Sequence, residues 1–169
     1  MNPMQQPRLE KVTVNIGVGA SGQPLDNART LLERLTGGKP MTTRAKRREP
    51  SFHLRQGDEI GVKITLRGKT AKEFVKKAFD ARDNEISTRS FDEYGNVSFG
   101  VKEYIDFPGA KYDPKLGMIG FDVCLSLRKP GANISKRRIA PHRVPKRHRV
   151  SSRESREFIA KEYGVTIKE

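Results

Sequence analysis

The chain has 169 residues, enough for one domain with an extension and one modest core but cramped for a two-domain enzyme. Its 34 Lys and Arg against 20 Asp and Glu give a formal charge of +14, which calls for a neutralising partner, most commonly nucleic acid. No stretch approaches the roughly 18 consecutive apolar residues of a membrane span, MNPMQQPRLEK has no apolar signal region, and Cys124 is the single cysteine, so we expect a cytoplasmic protein with no membrane partner.

Residues 11–16 alternate strictly, with Val12, Val14 and Ile16 on one face and Lys11, Thr13 and Asn15 on the other, which predicts a half-buried strand. Residues 24–35 place Leu25, Ala28, Leu31, Leu32 and Leu35 on one helical stripe that Gly37 and Gly38 close, an amphipathic helix with a glycine stop. Residues 41–45 predict a short strand, and a loop runs from Lys46 to about Gly61. Val62, Ile64 and Leu66 then alternate with Lys63, Thr65 and Arg67, a second half-buried strand with a polar face like the first. Thr70 with Glu73 reads as a capping box, ahead of the stripe Ala71, Phe74, Val75, Ala78 and Phe79.

Val97, Phe99 and Val101 suggest a further strand, and residues 119–127 a longer one with Ile119, Phe121, Val123, Leu125 and Leu127 facing the core. Residues 128–153 hold ten Lys or Arg, three prolines and no acidic residue, so we expect a basic extension, disordered or extended until it meets RNA. Ser151 and Glu154 form a second capping box, opening a helix through Phe158, Ile159 and Tyr163 that Gly164 can end. The fold class is therefore α+β, a mainly antiparallel sheet with helices packed on one face plus the basic C-terminal extension. The chain divides into a core over residues 1–128, a basic extended segment over 129–150, and a C-terminal helix and tail over 151–169.

Gly17-Val18-Gly19-Ala20-Ser21-Gly22 fits G-x-G-x-x-G between a strand and a helix, the setting of a dinucleotide turn. The acidic residue expected about 20 positions on is missing, since Thr42, Thr43 and Arg44 stand there. A strand-to-helix turn, without cofactor, is the better reading. His53, His142 and His148 are the only histidines; the last two lie among repelling cations, so we expect no metal. Cys124 falls in the polar phase of its strand, and we expect it packed under a helix or loop rather than acting as a nucleophile. Ser151 and Ser152 read as helix caps. No catalytic set and no small-molecule substrate site emerges.

The informative pattern is the polar face of the two strands, Lys11, Thr13, Asn15, Lys63, Thr65 and Arg67, with Lys39, Thr43, Arg44, Lys46 and Arg47 beside it. Lys and Arg neutralise phosphates, while short Asn and Thr side chains approach 2'-hydroxyls and base edges in a wide, shallow minor groove. Aromatic platforms for single strands are absent from it. In the extension, Lys136, Arg137, Arg138, Arg143, Lys146, Arg147 and Arg149 supply further phosphate contacts.

Four spaced motifs, VNIGVG, GGKPMTTRAKR, LRQGDEIGVKITLRG and FGVKEYIDFPGAKYDP, resemble in order the universal large-subunit ribosomal protein family numbered five. The basic tail ISKRRIAPHRVPKRHRVSSRESREFI is similar to the archaeal and eukaryotic branch. The resemblance implies a sheet face seated on 5S rRNA, a second contact to a hairpin of the large-subunit rRNA, and a place in the central protuberance. It carries 5S contacts to Asn15, Thr65, Arg67, Tyr112 and Asp113, the carboxylate accepting from guanine amino groups or orienting a neighbouring Arg. Gly38 stands where many relatives carry glutamine, which puts that RNA contact in doubt. A loop over residues 49–61 matches the family's contact to P-site tRNA through Phe52, His53, Arg55 and Gln56, with Gly57 and Gly61 permitting its bends. A neighbouring 5S-binding ribosomal protein and a small-subunit head protein are further implied partners. Three functions stand side by side: ribosomal scaffold, free-standing RNA-binding or ribosome-assembly module, and nucleotide-dependent oxidoreductase. Cosedimentation with large subunits separates them.

Overall fold

A two-residue apolar period gives a strand one oily and one polar face, and register decides whether neighbouring strands keep those faces aligned. In the computed structural model, which describes residues 2–168, strand β1 (Arg8–Gly17) pairs antiparallel on one side with β3 (Glu59–Leu66) and on the other with β6 (Phe121–Arg128). Strand β2 (Met41–Arg44) lies outside β3, and β5 (Val97–Val101) lies outside β6, giving the order β2-β3-β1-β6-β5. All four pairings are antiparallel, as the alternating pattern predicts. The first strand is longer than expected because a register shift between Leu9 and Lys11 lets pairing continue to Arg8.

Val12, Val14, Ile16, Val62, Val123 and Leu125 are buried on one face of this sheet. Helices α1 (Gln23–Thr36) and α2 (Gly68–Asp80) bury their predicted stripes in the same core. Gly37 ends α1 in the left-handed conformation (φ 66°), donating its N–H to the Glu33 carbonyl. Gly38 lies against the core, where a Cβ would stand 2.7 Å from the tip of the Ile64 side chain.

Two local expectations are corrected. Thr70 does not cap α2; the helix opens earlier, after Arg67, and the Thr70 hydroxyl donates back to the Arg67 carbonyl (2.9 Å) from inside the first turn. The last sheet strand starts at Phe121, not at residue 119, because the chain there turns to let the Ile119 carbonyl accept the Tyr104 N–H (3.1 Å). Gly120 is pressed against the Lys102 carbonyl, where a Cβ would come within 2.6 Å.

The C-terminal part is integrated with the core. Helix α3 (Ser152–Tyr163) brings Ile159 into it, Tyr163 meets the Phe79 ring edge-on at 5.3 Å, and Phe79 stacks on Phe99 at the same separation. Beyond Gly164 the chain forms β7 (Thr166–Lys168), which pairs in parallel with β4 (Glu85–Ser87). Neither short strand was expected. The basic segment between β6 and α3 also has anchors: Ala132 and Val150 are buried, and the His148 ring bonds to the Pro130 carbonyl (2.7 Å). Its cations find carboxylates distant in sequence, for Glu10 Oε1 accepts from Arg128 (3.1 Å) and Lys136 (2.6 Å). Glu154 Oε1 accepts from the buried Lys129 ammonium (2.7 Å).

The second capping box is as expected. Ser151 Oγ accepts the Glu154 N–H (3.3 Å), and Glu154 Oε2 accepts the Ser151 N–H (3.0 Å). Ser151→Ala should therefore cost about 1 kcal/mol, while Thr70→Ala should stay within about 0.5 kcal/mol of wild type. Urea midpoints of the two variants test this, and equal losses would mean that the box contributes nothing.

Candidate nucleic-acid interface

Because both helices cover the apolar face, the opposite face of the sheet is open, and the register states which residues share it. Thr13 stands between Thr65 on β3 and Cys124 on β6, and Asn15 between Lys63 and Asp122. Lys11 is opposite Ser126. Outward from these rows lie Met41 beside Lys63, Ser98 beside Cys124, and Gly100 beside Asp122. Arg67 continues the phase of Lys63 and Thr65 on extended backbone (φ −142°). The six residues chosen from the sequence thus come together on one surface. Among the described residues, none of their side chains makes a hydrogen bond or an ion pair.

Met41, Asp122 and Cys124 join this face without having been among the residues chosen from the sequence. Met41 is two-thirds exposed at its edge. Asp122 is an acceptor within a basic surface; its carboxylate leans over Gly100, where a Cβ would lie 3.4 Å from Oδ1. Cys124 is exposed on the open face, not packed under a helix or loop as expected, because no element crosses that side of β6. Partial burial between its neighbours, and then the Asp122 charge, raise its thiol pKa, so at neutral pH it is a poor nucleophile. The alternation that placed it in the polar phase was the available signal for its exposure.

Residues flanking the face divide. Lys39, Lys46 and Arg47 are exposed and unpaired among the described residues, whereas Arg44 pairs with Glu59 Oε1 (3.2 Å). Thr43 is half-buried opposite Gly61. Asp113 is tied to α1, on the far side of the sheet from the strand face. It accepts from Arg34 (2.9 Å) and from the Lys115 N–H (3.1 Å), and its own N–H donates to the Tyr104 hydroxyl (2.9 Å). The Arg34 bond holds its carboxyl below the usual range. Arg34 is the arginine beside Asp113. Tyr112 next to it is exposed.

The loop between β2 and β3 is a folded tip. Ala45 and Asp58 close its base (2.8 Å), Glu49 and Leu54 exchange backbone bonds, and Asp58 accepts the Arg55 N–H (2.7 Å). The left-handed His53 (φ 54°) turns the chain, leaving Phe52, His53, Arg55 and Gln56 exposed. Gly57 (φ 94°) supplies one bend, as expected. Gly61 does not supply another. It lies inside β3, where a Cβ would stand 2.7 Å from the Ile16 carbonyl, so its task is close strand packing.

The glycine turn after β1 spends its donors internally, since the Val18 and Gly19 N–H groups both bond to the Ile60 carbonyl (3.0 and 2.9 Å). In a dinucleotide fold such donors face the pyrophosphate, and the strand has parallel neighbours; both neighbours of β1 are antiparallel. In the basic segment, Arg137 and Arg149 bond to the Ala140 and Val144 carbonyls (2.8 and 3.3 Å). Arg138, Arg143, Lys146 and Arg147 are exposed and unpaired among the described residues.

Comparison with known proteins places this surface in context. The family described as Ribosomal protein L5 matches residues 2–55, and the C-terminal part of the same ribosomal protein family matches residues 59–158. The chain is 51% identical over its whole length to the large ribosomal subunit protein uL5 of Sulfurisphaera tokodaii, covering 96% of that protein. It is 46% identical to that of Aeropyrum pernix (98% of this chain, 87% of the relative). The corresponding figure for Methanococcus aeolicus is 45% (99% and 94%).

The carboxylate clamps on the basic segment predict an acid response. Burial raises the pKa of Glu10, but the Lys136 bond and the Arg128 and Lys136 charges outweigh it, and the balance lies below the ordinary 4.5. Glu154 is lowered in the same way, burial being outweighed by Lys129 and Ser151. A folded pKa below the unfolded one gives stability that is fully present above about pH 4.5 and lost as pH falls through the folded value. Amide protection across residues 132–148 should fall below that pH, and Glu10→Gln should lower it already at pH 7. Protection unchanged down to pH 3 would mean that these ion pairs do not hold the segment.

Proposed function

Since the chain belongs to the ribosomal protein L5 family, a structural and not an enzymatic family of the large ribosomal subunit, we propose that its open strand face is the seat for 5S rRNA within the central protuberance. The observation that carries this is the single cross-strand surface of Lys11, Thr13, Asn15, Lys63, Thr65 and Arg67, whose side chains have no hydrogen-bond or ion-pair partners among the described residues. Unpaired Lys and Arg release counterions when they meet phosphates, and Asn and Thr reach the minor-groove edge. Asp122 in the same row adds an acceptor for base amino groups, a role that Asp113 is not free to take while it holds Arg34. The lack of aromatic side chains among the residues of this face suits a folded helix better than a single strand.

The further contacts follow the resemblance drawn from the motifs. The tip bearing Phe52, His53, Arg55 and Gln56 is the contact for P-site tRNA, and its internal hydrogen bonds support a preformed surface. The basic segment, through Arg138, Arg143, Lys146 and Arg147, takes a hairpin of the large-subunit rRNA. A neighbouring 5S-binding ribosomal protein and a small-subunit head protein complete the set. The working place is the cytoplasmic ribosome.

Arg67→Ala and Asn15→Ala should each weaken binding of 5S rRNA without shifting the melting temperature, because both side chains point away from the core. Unchanged affinity in filter binding with both variants would remove the strand face as the 5S site. The basic segment needs a different test, since truncation at its start would also strip Ile159 and Val165 from the core. Replacing Arg138, Arg143, Lys146 and Arg147 together by Gln keeps the anchors. If those four meet phosphates, the slope of log affinity against log salt should fall by about 3 on an RNA that includes the large-subunit hairpin. An unchanged slope would mean that the segment does not touch RNA.

A further inference from the structure

Between the end of the sheet and the basic segment lies a cavity of about 440 Å³, within the range of small-molecule sites. Resting on the RNA-binding reading above, we propose that it captures one unpaired nucleotide of the bound RNA. Its walls combine what the open face lacks. Tyr94, 57% exposed, carries the Arg149 guanidinium 5.7 Å from its ring centroid. Leu127, Val144 and Val150 line an apolar side. Unstacked bases are held against aromatic rings and arginine planes of this kind.

The other cations of the cavity are sorted by what they already hold. Arg128 is spent on Glu10 and the Ala132 carbonyl, and Lys129 on Glu154 and the Arg149 carbonyl. The Arg143 side chain makes no hydrogen bond or ion pair among the described residues, and it is free for a phosphate. Asn96 gives its amide N–H to Asp92 Oδ2 (2.7 Å), which leaves its amide oxygen to accept from a base. The base therefore lies against the Arg149 and Tyr94 pair while Arg143 takes the phosphate.

The turn presenting Tyr94 is built to hold still. Asp92 accepts the N–H groups of Tyr94 (2.9 Å) and Asn96 (2.7 Å). The buried Ser155 hydroxyl of α3 donates to the Gly95 carbonyl (2.8 Å). Val150 presses so closely that a Cβ on Gly95 would lie 2.7 Å from its Cγ1. Contacts from the turn itself, from Val150 and from α3 thus hold the backbone that carries Tyr94 at the mouth of a cationic cavity, and such preorganisation lowers the cost of binding.

The test is an amide-resonance titration of the full-length protein with AMP, with inorganic phosphate and with single-stranded tetraadenylate. We expect AMP to shift Tyr94, Asn96 and Arg143, phosphate at equal concentration to leave Tyr94 and Asn96 in place, and tetraadenylate to bind more tightly than AMP. Tyr94→Ala and Arg143→Gln should each abolish these shifts. If Tyr94→Ala disturbs the turn, Arg143→Gln, which touches no anchor, carries the test. Arg67→Ala should weaken 5S rRNA binding and leave the AMP shifts intact, so the cavity and the strand face fail separately. Absence of AMP shifts, equal shifts by phosphate, or AMP binding as tight as tetraadenylate would each overturn the proposal.

Discussion

Strand β1 is paired along both edges, and the rest of the molecule depends on that constraint. With β3 on one side and β6 on the other, its side chains have no freedom of face: Val12, Val14 and Ile16 go under the helices, and Lys11, Thr13 and Asn15 go to the open side. A slip of one residue against either neighbour would bring lysines into the core and valines to water, so burial of one face sets the other. The polar surface is in this sense a by-product of the hydrophobic one. Its chemistry is free to vary because core packing makes no use of it.

The free and spent cations give a second organising idea. A net charge of +14 suggests an undifferentiated basic surface, but the structure separates two groups. Arg128, Lys129 and Lys136 are held by Glu10 and Glu154 and fasten the basic segment to the sheet. Lys63, Arg67, Arg138, Arg143, Lys146 and Arg147 have no such partners among the described residues. Glu154 serves twice, with one oxygen capping α3 and the other holding Lys129. It therefore joins the helix start to the end of β6.

Much of this was legible in the sequence, for reasons that also mark where legibility ended. Strict alternation in β1, β3 and β6 gives the faces directly, and the stripes of α1 and α2 give their packing. What escaped is long-range. Strands β4 and β7 have three residues each, too few for a period to register, and their pairing is decided by burial of Ile86 and Val165. The counter-charges for the basic segment lie at Glu10, far from it in sequence, and at Glu154, just past its end. Thr70 and Glu73 have the spacing of a capping box, but Gly68 (φ 66°) lets the chain turn into the helix sooner. Gly61 resembles a hinge by composition and is a contact by geometry. The strand-face residues were readable because their neighbours repeat, and Asp122 could be read in the same way from the polar phase of β6; only register puts Met41 there.

The parallel pairing of β7 with β4 has a consequence for how the molecule is made. The five-stranded sheet is complete in sequence once Arg128 has been synthesised, and its hairpin-like neighbours can pair early because they are close along the chain. Residues 85–87 must wait for residues 166–168, and Phe79 waits for Tyr163. Neither contact can close before residues 163–168 have been made, although the β1–β6 pairing within the sheet spans a longer stretch of chain. A growing chain thus passes through a stage in which the five-stranded sheet exists while one end of its core is still uncovered. Apolar surface exposed at that stage is open to mispairing, and the arrival of residues 163–168 removes the hazard.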